Sequence, residues 1–350
     1  MIFARRLAGL IFLTAAVTVP NIALSQTAPT ALPSQHLTEA AAASNGLAEL
    51  TPGSKANSIH IFPTPDRANA LKLSSALGQP LLYHTMGPVM LAANTYVIFW
   101  VPPKLQSGAP TALTKSYQDL QIRFMQDYPG HGIDNNNTQY FQTVGGKTNY
   151  IGNTGGFVDS YIDTAPYPAS GCKDSATPGN CITDAQLRTE ILRVMKLKKW
   201  TGGSRNIFFV YTAPGEGSCF DATSTSCAYT AYCAYHGAIP PSPLTPVLYA
   251  NMPYADPKFC MVAGTPSPNN DPAADAAVSV ASHELTEAIT DPFLNAWYAA
   301  NGMEIGDLCA WQFAPNAWDG GKANQSWNGN FYELQLEYDN HANNCVQVGP

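Results

Sequence analysis

The period of the apolar positions changes along the chain, and each change marks an element. Tyr96-Val97-Ile98-Phe99-Trp100-Val101 is a continuous apolar run ended by Pro102-Pro103, the pattern of a buried strand. Residues 114–128 instead bring Leu120, Phe124 and Tyr128 onto one face at helical spacing. Residues 140–144 and 157–162 read as strands flanking Gly-rich turns, and residues 206–212 and 246–251 as two more. Thr183, followed three positions later by Gln186, is a capping box that opens a helix running to about Lys199. A longer helix is predicted from Asp271 or Pro272 to Thr290, where Asp291-Pro292 stops it. Helices alternating with strands predict an α/β fold, a mixed sheet with packed helices and a loop-rich C-terminal part.

The N-terminus has a different pattern. Arg5 and Arg6 precede an apolar run over residues 7–19, and Ala23-Leu24-Ser25 offers a small-residue cleavage site before Gln26. That is the layout of a secretory signal peptide, with an apolar run too short to span a bilayer. Residues 26–57 are rich in Ala, Thr, Ser and Pro without apolar rhythm and read as a flexible leader, so residues 58–350 are expected to form a single globular domain. The protein is expected to be secreted or periplasmic, without a membrane span.

The eight cysteines all follow residue 170, and an even number in an exported chain points to disulfides. Two short loops suggest Cys172 with Cys181 and Cys219 with Cys227. The other four are left to pair as Cys233 with Cys260 and Cys309 with Cys345, one choice among the 105 connectivities that eight cysteines allow. A zinc cluster is the rival reading, weakened by the lack of any CxxC pair.

Composition narrows the function. Hydrophobic residues make up 45% and charged residues 12%, about half the usual charged share of roughly 25%. Such a chain buries a large core, which excludes intrinsic disorder, and its net charge of −7 offers no basic footprint for nucleic acid. Cleavage after Ser25 removes two arginines and no acid, taking −7 to −9. The surplus is concentrated. Residues 259–321 contain no Lys or Arg, yet hold Asp271, Asp275, Glu284, Glu287, Asp291, Glu304, Asp307 and Asp319. If several of these carboxylates converge, repulsion must protonate one of them or a cation must neutralise them.

Ser282-His283-Glu284-Leu285-Thr286-Glu287-Ala288-Ile289-Thr290-Asp291-Pro292 lies on the long helix. Residues four apart share a face, so His283, Glu287 and Asp291 form one polar stripe with Glu284 beside it. Val278, Ala281, Leu285, Ala288 and Ile289 occupy the other side. Zinc peptidases use HExxH because two imidazoles one turn apart hold the metal while the intervening Glu activates its water. Here the pattern is HExxE, with Glu287 at the second ligand position. The stretch resembles the active-site helix of thermolysin-like metallopeptidases, in which a carboxylate twenty residues after the second His completes the ligand set. That spacing lands on Asp307, within Met303-Glu304-Ile305-Gly306-Asp307-Leu308-Cys309. The expected metal ligands are His283, Glu287 and Asp307 or Glu304, with Glu284 as the catalytic base. The added carboxylate makes the metal a poorer Lewis acid and suits Mn²⁺ or Ca²⁺ better than Zn²⁺, although zinc remains open.

A second resemblance runs through four motifs in order. Tyr83-His84-Thr85-Met86-Gly87-Pro88-Val89-Met90, Cys233-Ala234-Tyr235-His236-Gly237, the HExxE helix, and Glu304-Ile305-Gly306-Asp307-Leu308-Cys309 resemble blocks of the phosphate-induced protein 1, or EXORDIUM-like, family of secreted proteins. The last two resemble its bacterial branch. Plant members of that family are linked to growth and the cell wall without an established catalytic activity.

His236 is either a further catalytic group beside the metal or a histidine in a Gly-rich turn, and for His84 the turn reading is favoured. His36, His60, His131 and His341 carry no motif. Trp297, Trp311, Trp318 and Trp327 either line a cleft for peptide or sugar or belong to the core. Asn136-Asn137-Thr138 and Asn324-Gln325-Ser326 are glycosylation sequons, relevant only in a eukaryote. The expected function is a secreted, metal-dependent peptide hydrolase acting on a peptide or cell-surface polymer. The alternative is a noncatalytic exported protein that binds a cell-surface carbohydrate or a protein partner, with at most a structural metal.

Overall fold

A computed structural model describes residues 59–73, 78–84, 87–223, 226–239 and 245–350. The predicted signal peptide and leader, and Thr85 and Met86 of the first family motif, lie outside them. Six strands form the main sheet: β1 (Ile59–Pro63), β2 (Ala93–Trp100), β3 (Gly155–Asp163), β4 (Asn206–Thr212), β5 (Tyr232–Ile239) and β6 (Val247–Met252). Their order is β1-β5-β6-β4-β2-β3. β6, β4, β2 and β3 are mutually parallel, whereas β5 runs antiparallel to both β6 and β1. The α/β fold with a mixed sheet is therefore as expected.

Three long helices cover the sheet. α1 (Lys115–Asp127) starts at Thr114, whose hydroxyl accepts from the Tyr117 amide at 3.2 Å. α2 (Asp184–Lys198) opens with the predicted capping box, in which Thr183 and Gln186 bond each other's backbone amides reciprocally. α3 (Pro272–Thr290) is capped by Asp271, whose carboxylate accepts from the Ala274 amide at 3.1 Å. α1 and α3 are tied together by the Gln121 amide donating to the Ala274 carbonyl at 3.0 Å and by Tyr128 bonding Thr286 at 3.0 Å. The hydroxyls of Tyr235 and Tyr249 both reach Asp184 at the start of α2. Successive strand residues point to opposite faces, so α2 covers the face opposite to the one His236 occupies.

α3 departs from expectation in one respect. Residues 273–290 are buried without exception, so its polar stripe faces the interior as completely as its apolar side. The small side chains of Ala273, Ala274, Ala276, Ala277 and Ala281 permit that close approach. Thr286 and Thr290 bond their hydroxyls back to the carbonyls of Ser282 and Thr286, at 2.8 and 3.1 Å, so neither is left unsatisfied.

All four suggested disulfides form: Cys172–Cys181, Cys219–Cys227, Cys233–Cys260 and Cys309–Cys345. Cys172, Cys181 and Cys219 lie close together only because two of these bridges are neighbours across the paired segments Cys181–Thr183 and Gly217–Cys219, which disposes of a zinc–thiolate site there. Among the described residues no helix is long and apolar enough to cross a membrane. Both sequon asparagines are buried and spoken for: Asn136 donates to the Tyr338 carbonyl and Asn324 to the Leu334 carbonyl, at 3.0 and 2.7 Å. Neither offers a glycosylation site in the folded chain.

In the loop after β4, the side chain of Glu216 is enclosed, and burial pushes its carboxyl from 4.5 up to about 8. Below pH 4.5 both folded and unfolded chains hold that proton, whereas between 4.5 and about 8 only the folded chain does, so stability is lost as pH rises through this window. Glu216→Gln should therefore gain melting temperature over the wild type progressively between those two pH values. Thermal melts that differ by a constant amount across the window would refute this.

Candidate metal centre

The centre begins with a strand pairing. His60 on β1 stands directly opposite His236 on β5, so both imidazoles project from the same face of the sheet, with ring centroids 5.7 Å apart. The next residue in that row is Ala250 on β6, whose small side chain leaves room for a helix above. α3 fills the room and directs His283, Glu284 and Glu287 downward. Glu304 and Asp307 come from the segment leading into a short 3-10 helix, Asp307–Cys309, which the Cys309–Cys345 disulfide fastens. Glu337 reaches the same space from the strand Glu337–Asp339.

The contacts centre on Glu287. Its Oε1 lies 3.1 Å from His283 Nε2 and accepts from the Asp307 amide at 3.1 Å. Its Oε2 is 3.7 Å from His236 Nδ1 and 3.8 Å from His60 Nε2. His236 Nδ1 is also 3.1 Å from Glu284 Oε2, and His236 Nε2 is 3.8 Å from Glu304 Oε2. His60 Nε2 bonds Asp307 Oδ2 at 2.7 Å, while its Nδ1 stands 3.3 Å from Glu304 Oε1. Donor atoms of His60, Glu287 and Glu304, of His236, Glu284 and Glu287, and of His283, Glu287 and Asp307 each gather within 4.8 Å, a spacing one ion can bridge.

Much of this donor set has no hydrogen-bond partner. His60 Nδ1, His236 Nε2, His283 Nε2, Glu284 Oε1, Glu287 Oε2, Asp307 Oδ1 and both oxygens of Glu304 and of Glu337 are buried and unbonded. Burial pushes the carboxyls of Glu284, Glu287, Glu304 and Glu337 well above the usual range, and the charge on neighbouring carboxylates pushes them further. Burial drives His236 well below its usual value, helped by His60 and His283, and takes His283 down to about 4. For His60 burial is again the largest influence and acts downward, but Asp307 and Glu287 together outweigh it and leave the imidazole raised. Among the described residues no lysine or arginine pairs with any of these carboxylates. Several buried acids facing three imidazoles, with free electron pairs, fit a divalent cation.

Three neighbours shape the site. Gln335 accepts from the Trp311 amide at 2.8 Å and donates through Nε2 to the Gly306 carbonyl at 2.9 Å, which fixes its orientation. The same Nε2 is 3.0 Å from His283 Nδ1, so Nδ1 accepts and the imidazole proton sits on Nε2, toward Glu287. Ligation through His283 Nε2 thus requires its proton to move to Nδ1 and the contact between Nδ1 and the Gln335 amide to be given up. Phe62 stacks on His283 with centroids 3.8 Å apart and on Trp311 at 4.5 Å, closing one side.

All six residues expected at the site meet here: His236, His283, Glu284, Glu287, Glu304 and Asp307. His60 contacts both Glu304 and Asp307, the two candidates for the third ligand. His236 lies within a strand, not a Gly-rich turn. Asp291 borders the donor set: its Oδ1 accepts from the amides of Asn295 and Ala296, at 2.6 Å each, closing the turn after α3, while its Oδ2 is buried and unbonded. His84 is also elsewhere, stacked on Tyr298 with centroids 3.5 Å apart. The tryptophans do not share a cleft: Trp297 and Trp327 are buried, Trp311 stacks on Phe62, and Trp318 is exposed. His60, Glu337 and Gln335 were missed. The available signal for His60 was an imidazole set between Ile59 and Ile61-Phe62 in a short apolar run.

The cluster is closed to solvent. His60, His283, Glu284, Glu287, Glu304, Asp307 and Glu337 are 0% exposed and His236 is 1% exposed.

Comparison with known proteins bears out the family resemblance. The phosphate-induced protein 1 conserved region matches residues 225–335, which include His236, the α3 residues, Glu304, Asp307 and Gln335 but neither His60 nor Glu337. Protein EXORDIUM-like 5 of Arabidopsis thaliana is 48% identical over 46 residues, 12% of this chain and 13% of that protein. Protein EXORDIUM-like 3 of Arabidopsis thaliana is 42% identical over 62 residues, 16% of this chain and 18% of that protein. The chain thus aligns with less than a fifth of either relative's length. No solved structure matches it.

At the cluster, Gly306 leaves no room for a side chain. A Cβ there would lie 2.4 Å from His283 Nδ1 and 3.0 Å from Glu287 Oε1. Gly306→Ala should therefore cost roughly 1–3 kcal/mol of stability by overpacking. Denaturant unfolding that matches the wild type would show that the cluster yields freely at this point.

Proposed function

We propose that this chain, which carries the phosphate-induced protein 1 conserved region, is an exported divalent-cation-binding protein whose buried centre staples α3 to β1, β5 and the segment around Glu304 and Asp307. The observation that carries this reading is the closure of the donor set: eight ionisable side chains at 0–1% exposure, with unbonded nitrogens and oxygens facing one another. Removing each ionised group from water costs several kcal/mol unless an opposite charge compensates, and a cation is the compensation such donors suit. Three imidazoles among the carboxylates shift the expected ion from Ca²⁺ toward Zn²⁺ or Mn²⁺. Four disulfides are consistent with an oxidising destination outside the cytoplasm.

On this reading the cation is structural and the surface meets a cell-surface carbohydrate or a protein partner. A catalytic metal keeps one coordination position open to substrate, and a fully buried donor set favours the closed, structural kind. One observation favours a second reading, a metal-dependent peptide hydrolase. His283, Glu284 and Glu287 have the spacing that places a general base beside a metal ligand, and His236 Nδ1 lies 3.1 Å from Glu284 Oε2, within reach of a shared proton. Hydrolysis by this site would require the cover formed by β1 and the Phe62–Trp311 stack to open.

Stripping the cation with a chelator should lower the melting temperature by roughly 10 °C, the equivalent of a ligand held about a thousandfold above its Kd. An unchanged melt, with no metal in the purified protein by elemental analysis, would refute cation binding. At full metal occupancy, neither wild type nor Glu284→Gln should cleave a mixed peptide library. Cleavage by the wild type that disappears in Glu284→Gln, with metal retained, would establish the hydrolase instead.

A further inference from the structure

We infer that the cluster is built for two divalent cations that share the Glu287 carboxylate, an inference that rests on the cation-binding reading above. Glu287 is the one residue common to all three donor groups, and its two oxygens face different partners. Oε1 is turned to His283 Nε2 at 3.1 Å on the Asp307 side. Oε2, which has no hydrogen-bond partner, is turned to His236 Nδ1 at 3.7 Å and His60 Nε2 at 3.8 Å. A carboxylate divided in this way is the geometry of a bridging ligand, able to hold two ions about 3.5–4 Å apart.

Donor capacity agrees. One ion on the His283 side takes His283, Glu287 and Asp307; one on the other side takes His236, Glu284 and Glu287. His60 and Glu304 lie between the two sets, and both oxygens of Glu304 are unbonded. Five carboxylates surround the space, those of Glu284, Glu287, Glu304, Asp307 and Glu337, with no lysine or arginine paired to them among the described residues. These carboxylates and the three imidazoles offer more unbonded donor atoms than one tetrahedral or octahedral cation can use.

The two positions differ. On the His236 side, the Nδ1 nitrogen already faces Glu284 and Glu287. On the His283 side, the proton on Nε2 has to move to Nδ1, giving up the contact with the Gln335 amide, before Nε2 can ligate a cation. The His236 side therefore fills first.

The test uses the full chain, stripped with a chelator and titrated with Mn²⁺, with ions counted by elemental analysis and electron paramagnetic resonance recorded at each step. The expected result is two Mn²⁺ per chain, filling in two steps. The first gives the hyperfine pattern of isolated Mn²⁺, and the second gives the spectrum of an exchange-coupled pair. Glu287→Gln should abolish the coupling and leave at most one tightly held ion. The wild-type spectrum decides the matter even if that variant fails to fold. One Mn²⁺ per chain with an uncoupled spectrum overturns the two-cation inference and leaves cation binding intact. Two ions without exchange coupling overturn sharing through Glu287, and no bound Mn²⁺, Zn²⁺ or Ca²⁺ overturns both readings.

Discussion

The expense of keeping ionisable side chains out of water is the constraint on which the arrangement of this protein turns. Residues 273–290 of α3 are all buried, so the stripe formed by His283, Glu284 and Glu287 has no route to solvent. Its partners must come from the sheet below and from the chain beyond. The pairing of β1 with β5 supplies two imidazoles from below, and the disulfide-fastened segment at Asp307–Cys309 supplies two carboxylates from the side. The alanines of α3, Ala250 under it and the bare Cα of Gly306 beside it all serve the same close approach. Without that convergence the helix would carry unpaired acids into the core.

Local signals made much of this architecture legible. The three long helices announced themselves through periodicity, stop signals and, for α2, the Thr183–Gln186 box, because such signals act within a few turns of chain. The parallel strands β2 and β4 were readable as apolar runs, since both faces of a central strand are covered. The two strands that went unrecognised, β1 and β5, are those that carry His60 and His236. Residues 232–239 mix Tyr, Cys, Ala, His and Gly, and without alternation they resemble a turn. β1 is five residues long with a proline at its end. β1 owes its conformation to β5, and β5 to β1 and β6; the β1–β5 pairing joins segments distant in sequence and leaves no local trace.

The same division separates the parts of the centre. His283, Glu284 and Glu287 share one helix and Asp307 follows at a recognisable interval, so spacing revealed them together. His60 bonds Asp307 across 247 residues, and Glu337 and Gln335 arrive from a different strand segment, so no spacing rule could join them. What spacing suggested was the ligand set of an open, catalytic centre. What the remaining residues add is more imidazole, more carboxylate and a cover, and no donor of the cluster is left open to solvent.

The position of β1 bears on how the chain acquires its fold over time. It is the earliest of the six strands to leave the ribosome or a translocation pore, yet among the described residues its sole neighbour in the sheet is β5, about 170 residues later, and its histidine answers to Asp307 later still. Contacts of such long sequence separation form late, because loop closure must precede the reward. Until then β1 is a short apolar strand with both edges bare, the kind of segment that invites pairing with another molecule. An imidazole in its middle tempers that risk: it makes the strand less attractive to a strange sheet and gives it a distinctive reason to dock on its own.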